Sequence, residues 1–434
     1  MARIFISFFN GITDFNNPNA MPCFYESFLS EFQKNGNDVL YYENKLWGKD
    51  FPQAPKSFIN KIKKFNPDLI ILFNNCCFDL SKHFDCPILI WEVDSPIYFS
   101  NKKKISENPN RYIFITAQTA SQKIIENVFG VNQKNIHHFP FATSIIAENI
   151  PQTNNICFIG TKFASNNAVS NFMSNTPNTL VIEKYKEIYN FIEKNPFSTE
   201  TEIIDKFNIK SKKIKNGFSV REIVENISAK KRIQILSEIS DLGLSIYGTR
   251  SWIDNLEYNP EIILSYKDKL VYSIKHNQNI YNSSKIGINI NHVQAKTGFS
   301  WRVCDIMASN ACLVTEPKED LERLFPKIKI PTYTNKHEAY NICKKILKED
   351  NLRNDIVLSC QEIINKNYRF TNTIKNLEQV FCLSLIGKQK GNITKLSIEK
   401  RTILDKNAAI RNSKKSWLRL KTRSKLVAYS IRFD

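Results

Sequence analysis

Between residues 281 and 325 the chain reads YNSSKIGININHVQAKTGFSWRVCDIMASNACLVTEPKEDLERLF, and this stretch leaves few folds open. A polar helix start, Tyr281–Lys285, is expected to lead into the apolar run Ile286–Ile290, which ends on Asn291 and His292: the pattern of a buried strand with a polar exit. A loop carrying Lys296, Thr297, Gly298 and Phe299 follows, and Ser300 stands where it would cap a helix from about Trp301 to Ser309. Asn310 suits the left-handed turn that ends such a helix. Ala311–Thr315 reads as a second buried strand and Lys318–Phe325 as a second helix. The order strand, loop, helix, strand, helix is half of a doubly wound parallel sheet.

In such sheets ligands bind beyond the carboxyl ends of the strands, where loops enter helices. The loop Lys296–Ser300 occupies that place. Arg302, Asp305 and Ser309 share one helical face, with Trp301, Cys304 and Ala308 on the neighbouring apolar face. A guanidinium there suits a phosphate, and a carboxylate one turn later suits a ribose diol. An ordinary surface Arg–Asp pair has the same spacing, so the geometry alone leaves both readings open.

The segment TGFSWRVCDIMASNACLV resembles the donor-binding segment of glycosyltransferases of the GT-B fold, whose usual form is E-G-F-G-x-x-x-x-E-A-M-A-x-G-x-P-V-V. Through TEPKEDLERLF it looks most like the branch that includes the CgeB proteins and the "glycosyl transferases group 1" domain. The resemblance implies that Asp305 holds the nucleotide ribose and that Arg302 lies near the diphosphate. It puts Thr297 where relatives carry a glutamate that contacts the donor sugar. Asn310 replaces the usual glycine and Cys312 the usual proline. The sequence Gly248-Thr249-Arg250-Ser251-Trp252 is similar to a G-x-x-W of the same family and is expected to flank the nucleotide.

The rest of the chain fits around this device. Residues 1–146 alternate strand and helix signals: Arg3–Phe9, Asp38–Tyr42, Leu69–Phe73, Pro87–Val93 and Arg111–Thr116 as strands, with helices over Met21–Asn35, Lys56–Phe65 and Thr119–Phe129. A Rossmann-like domain is expected there, and a second over 150–383. Within the second, residues 162–229 form a charged helical insertion. The expected class is therefore α/β, two Rossmann-like domains facing a cleft, followed by a basic amphipathic tail over 384–434. Asp94 leaves a buried strand toward the cleft in the sequence ILIWEVDSP, a place for a general base or an acceptor ligand, although as a plain structural feature it suits a cap of the Ser95-Pro96 turn better. Glu92 leaves the same strand. His137, near the crossing between domains, is the second candidate base.

With 434 residues the chain exceeds one ordinary core, and 42% hydrophobic residues with 12% aromatic ones suffice to fill two. The formal charge of +19 invites a membrane or nucleic-acid surface. Its clearest concentration is at 388–434, where basic residues interleave with Trp417, Leu420, Leu426 and Tyr429. Such a segment suits an anionic membrane surface, the partner expected there ahead of nucleic acid, and it equally reads as a protein-binding or simply solvated helical extension. The ten cysteines form no C-x-x-C pair and sit largely in apolar runs, which fits buried thiols in a reducing cytoplasm. The N-terminal apolar run reads as a first strand rather than a signal peptide.

The expected activity is transfer of a sugar from a nucleoside diphosphate sugar to a glycan or lipid-linked acceptor. It would run in the cytoplasm or at the inner face of the membrane, with no cofactor besides the donor. No Asp-x-Asp motif stands where it would serve a metal, so Arg302 and the helix start at Gly298–Ser300 are expected to meet the leaving-group charge. Two rivals remain: a nucleotide-sugar epimerase, and a non-catalytic basic binding protein, which Thr297 and Asn310 favour.

Overall fold

The computed structural model describes residues 2–12, 14, 17–45, 50–163, 179–195, 198, 200–208, 220–255 and 259–397. The first domain is built on apolar runs long enough for strands and too short for helices. They form β1 (Arg3–Phe9), β2 (Asp38–Asn44), β3 (Leu69–Phe73), β4 (Ile88–Trp91), β5 (Tyr112–Thr116) and β6 (Ile136–His138). All pair in parallel, in the order β2-β1-β3-β4-β5-β6. The connecting helices are α1 (Cys23–Lys34), α2 (Lys56–Phe65), α3 (Lys102–Glu107) and α4 (Ala120–Phe129). Residues that tolerate left-handed angles stop two of them: α2 ends at Asn66 (φ 52°), just before Pro67, and α4 at Gly130 (φ 69°). Strand order reverses between β1 and β3, so the loops beyond those strands diverge and leave a crevice at their carboxyl ends.

The second domain holds β7 (Asn154–Ile159), β8 (Leu244–Tyr247), β9 (Ser284–Ile288) and β10 (Cys312–Val314), parallel in the order β10-β9-β7-β8. Around them lie α5 (Thr179–Lys194), α6 (Glu200–Lys206), α7 (Val220–Glu238), α8 (Pro260–Ser265), α9 (Ile274–Asn282), α10 (Arg302–Met307), α11 (Glu319–Leu324), α12 (Lys336–Lys348), α13 (Asp350–Asn367) and α14 (Phe370–Phe381). Helix α10 packs onto β9 at Gly287, where an added Cβ would lie 2.7 Å from Ile306 Cγ2. In the insertion, Tyr185, Ile188, Ile192, Ile203, Ile223 and Ile227 form a separate buried cluster. Helix α7 leaves that cluster and carries on into the main core at Leu236, so the boundary expected at residue 229 falls inside one continuous helix. Residues 164–178, 196–197, 199 and 209–219 of the insertion lie outside the described residues.

Aromatic side chains join the domains. Phe24 of α1 stacks on Trp301 at 5.2 Å and 15°, with Phe141 and Phe370 edge-on or tilted against it. Helix α14 returns to the first domain, where Thr371 Oγ1 donates to Glu31 Oε1 at 2.6 Å. The chain then differs from the sequence expectation of a basic tail from 384 onward. Ile393–Lys395 form a further strand, β11, parallel to β2 at the sheet edge. Gly391 lies on Asn37, whose carbonyl oxygen would be 2.0 Å from an added Cβ. Three residues with one apolar side chain give no readable period, and only the waiting edge of β2 defines the strand. Residues 398–434, the larger part of the amphipathic segment, lie outside the described residues.

Candidate active site

A cavity of about 400 Å³ opens between the two sheets at their carboxyl ends. Its first-domain wall is set by the residues that follow β3, β4 and β5. Asn74 and Asn75 leave β3 with φ of 51° and 53°, left-handed values that asparagine tolerates. Asn74 then fixes the next loop: its Oδ1 accepts from Val93 N (2.9 Å) and Asp94 N (3.2 Å), and its Nδ2 donates to Asp94 Oδ2 (2.9 Å). Asp94 is thereby held as an acceptor at the cavity wall. The short turn Pro96–Tyr98 has no side-chain cap. Glu92, 1% exposed, lies beside it. Glu92 Oε2 accepts from Ala117 N (3.1 Å), and Oε1 from Ser121 Oγ (2.5 Å) and Gln118 Nε2 (3.4 Å). Burial outweighs those bonds and pushes the carboxyl up to about 8.

The second-domain wall begins where β7 and β8 end side by side. An added Cβ on Gly248 would lie 2.1 Å from Gly160 O, so only glycine fits, and Trp252 Nε1 donates to that same oxygen at 2.9 Å. Behind them Arg232 is fully buried against the rings of Phe163 (4.0 Å) and Phe158 (5.4 Å). Its outer nitrogens donate to Thr161 O and, at 3.1 Å, to Ile290 O. Its Nε is buried with no hydrogen-bond partner, and the same holds for Arg302 Nε, Asn291 Nδ2 and Gln294 Oε1, all on residues that line the cavity. Among the described residues neither arginine forms a salt bridge. Burial first, and the neighbouring Arg302 second, press the Arg232 guanidinium well below its ordinary range. The same surroundings, burial and then Arg232 and Lys231, lower His292 to about 3, so its ring is neutral at physiological pH.

The structure divides the residues singled out in the sequence. Asp94, Gly248, Thr249, Asn291, His292, Gly298, Phe299, Ser300 and Arg302 all line the cavity. Arg250 does not; it pairs with Asp268 at 3.1 Å on the exposed surface. His137 lies on β6 away from the cavity, its carbonyl accepting from Thr116 Oγ1 at 3.3 Å. Ser300 is not a helix cap: its hydroxyl donates to Asn289 Oδ1 (2.8 Å), and α10, six residues long, starts after Trp301 with no side-chain cap. A helix that short adds little as an anion-attracting terminus.

Asp305 and Thr297 face other partners than the resemblance implies. Asp305, 5% exposed, accepts from Thr143 Oγ1 at 2.5 Å and faces Cys23 Sγ at 3.8 Å, both from the first domain, and burial raises it to about 7. Thr297 bonds to Thr119 and Ala120 across the domain boundary. Helical spacing put Arg302 and Asp305 on one face, but at three residues apart they diverge by about 60°. That is enough to aim one into the cavity and the other between the domains. Sequence reasoning missed Arg232, Gln118 and Gln294. The run Lys230-Lys231-Arg232 was the one visible trace of the first, and it reads equally as a solvated helix face.

Among the described residues no cluster of three His, Cys, Asp or Glu could hold a metal ion, and all ten cysteines are free, eight of them buried. No curated protein matches the sequence. Among solved structures, the chain is similar to T4 phage BGT in complex with its UDP-glucose substrate (12% identity, 88% of this chain and 100% of that one, TM-score 0.48). It is likewise similar to sucrose-phosphate synthase from Thermosynechococcus elongatus (11% identity, 88% and 98%, TM-score 0.48) and to a glycosyltransferase from Rickettsia africae (10%, 87% and 97%, TM-score 0.42). A family model described as glycosyl transferase-like matches residues 222–379, which run from α7 through the cavity-lining loop at Gly298 to α14. Two parallel α/β sheets thus face one cleft, the arrangement of the GT-B fold, and the second domain is similar to the glycosyl transferase-like family over residues 222–379.

Proposed function

We propose that this chain is a glycosyltransferase of the CgeB-like branch, moving a hexose from a nucleoside diphosphate sugar to a glycan or lipid-linked acceptor. One observation carries the reading: two arginines, Arg232 and Arg302, line the cavity with buried Nε atoms that have no hydrogen-bond partner, and neither forms a salt bridge among the described residues. A buried guanidinium with no ion pair, as at Arg232, is costly, and a second guanidinium beside it, Arg302, adds to that cost. A diphosphate supplies the missing counter-charge, and guanidinium groups suit its oxygens.

In the transfer the bond from the anomeric carbon to the diphosphate oxygen breaks, and a bond from that carbon to an acceptor oxygen forms. Charge that develops on the leaving diphosphate falls to Arg302 and Arg232, fixed donors already in place before the bond breaks. Asp94, held by Asn74, is the base that takes the acceptor's hydroxyl proton. His292 stays neutral throughout and adds no competing positive charge.

Calorimetry with UDP, GDP, ADP, CDP and dTDP tests the reading. One of them should bind, and Arg302→Ala should weaken it by about 10-fold or more, the scale of a lost charge-assisted pair. Asp94→Asn should cut donor turnover strongly while leaving that affinity nearly unchanged. If none of the five binds the wild type, the proposal fails.

A location at an anionic membrane surface belongs to the same proposal, resting on the basic and aromatic residues of 388–434. No helix among the described residues is long and apolar enough to cross a membrane. A chain truncated after Ser397, which keeps β11, should lose low-salt cosedimentation with phosphatidylserine vesicles and keep donor turnover. A full chain that stays in the supernatant would remove the membrane from the account.

A further inference from the structure

Helix α4 begins without a cap of its own: Thr119, at the N-cap, has helical angles (φ −64°, ψ −34°) and makes no side-chain cap bond. The first N–H groups of a helix have no partner within it, so something else must accept from them. Here the acceptors come from the other domain. Asp320 Oδ2 accepts from Thr119 N at 3.0 Å, and Thr297 Oγ1 accepts from Ala120 N at 3.0 Å. Thr119 Oγ1 donates to Asp320 Oδ1 at 2.9 Å and lies 3.0 Å from Thr297 Oγ1. Within the second domain Asp320 N donates to Thr297 O at 2.9 Å, which makes the two acceptors one unit.

The loop that this unit anchors is the one that lines the cavity. One residue before Thr297, Lys296 N donates to Gln118 Oε1 at 2.9 Å. One residue after it, Gly298 rests on Gln118, and its neighbours Phe299, Ser300 and Arg302 face the cavity. Gln118 in turn donates to Glu92 on the wall that carries Asp94. A continuous set of bonds therefore ties the second-domain loop to the first-domain wall, and it can form only when the cleft is closed.

We propose that Thr297 and Asp320 are positioning residues for the transfer: by capping α4 from the opposite domain they fix the loop 296–300, and with it Arg302, against the wall that holds Asp94. Thr297 acts here through its hydroxyl on α4 rather than on a donor sugar. The placement of Arg302 and Asp94 as reacting groups rests on the function proposed above; the clasp itself does not.

The test uses the full chain as Thr297→Val, Thr297→Ser and Asp320→Ala. Two readouts are needed: the radius of gyration from solution scattering, and the kinetics of nucleoside diphosphate release from UDP-glucose, GDP-mannose or ADP-glucose. Thr297→Val and Asp320→Ala should enlarge the radius and lower kcat by about 10-fold, the factor that ~1.4 kcal/mol of lost positioning corresponds to. Nucleoside diphosphate affinity should move much less. Thr297→Ser, which keeps the hydroxyl, should restore both radius and kcat. A Thr297→Val chain with wild-type radius and kcat, or a Thr297→Ser chain that fails to recover, overturns the proposal. Should Asp320→Ala melt early, the Thr297 pair decides. If the wild type releases no nucleotide, the functional reading is what has failed; the radius of the Thr297 pair still supports or overturns the clasp.

Discussion

Gly298→Ala should hold the two domains apart. A Cβ at this position would stand 2.4 Å from Gln118 Cβ, 3.1 Å from Ala117 O and 3.2 Å from Gln118 Cα. None of these is the far end of a flexible side chain, so relief must come from moving the loop or opening the cleft. Overpacking of this kind costs about 1–3 kcal/mol, and here the loss falls on the closed state alone. Opening breaks the bond from Lys296 N to Gln118 and withdraws the second-domain caps from α4. The expected result is a larger radius of gyration, donor turnover reduced more than 10-fold, and a fold otherwise intact by circular dichroism. A variant with wild-type radius and turnover would show that the loop yields without disturbing the cleft.

A second large effect concerns pH, through two carboxyls that the fold buries. Burial raises Glu92 from 4.5 to about 8 and Asp305 from 3.8 to about 7, against the pull of their hydrogen-bond donors. Between the unfolded and folded values each group is protonated in the native state and ionised in the unfolded chain. The native state then binds more protons, and stability falls as pH rises through that window. The contribution is fully present below about pH 4 and is lost by about pH 8 for Glu92 and pH 7 for Asp305. At about 1.4 kcal/mol for each pH unit of difference, each carboxyl is worth a few kcal/mol. Asp320 and Asp68 have the opposite sign, since both are held below their ordinary range. Their contributions are lost only as pH falls below about 4, outside the window. His292, lowered to about 3, and His137 and His138, lowered by burial, also have the opposite sign and raise stability as pH climbs to about 6.5. Urea unfolding of the wild type should therefore show stability falling above that, from about pH 6.5 to about pH 8.5. Glu92→Gln and Asp305→Asn should each flatten that slope and gain on the wild type at the alkaline end. Parallel curves for the three proteins would mean that both carboxyls ionise freely in the fold.

The two effects meet at one place. Glu92 receives Gln118, Gln118 receives Lys296 N, and Gly298 leaves room for Gln118. The region that stores unfavourable burial is also the region where the domains touch.

Much of the framework was legible in the chain itself. Arg3–Phe9, Lys56–Phe65 and Leu69–Phe73 have the bounds their periodicity gave, and most other elements differ by a residue or two at each end. Local patterning decides such elements because alternation, glycine and proline act within a few residues. The sequence alone also placed the loop Lys296–Ser300 at the carboxyl edge of the second sheet, and Gly298 and Arg302 do line the cavity there.

What the sequence could not decide is which side chains meet across the cleft. Asp305 and Thr297 sit at readable positions in a helix and a loop, yet Thr143, Cys23, Thr119 and Ala120 claim them from residues more than 150 positions away. Arg232 became a cavity residue only because α7 runs from the insertion into the core, and β11 became a strand only because β2 offered an edge. Hydrogen bonds and burial at that separation depend on the orientation of two domains. That orientation is fixed by the packing of Phe24, Phe141, Trp301 and Phe370, which no local period records.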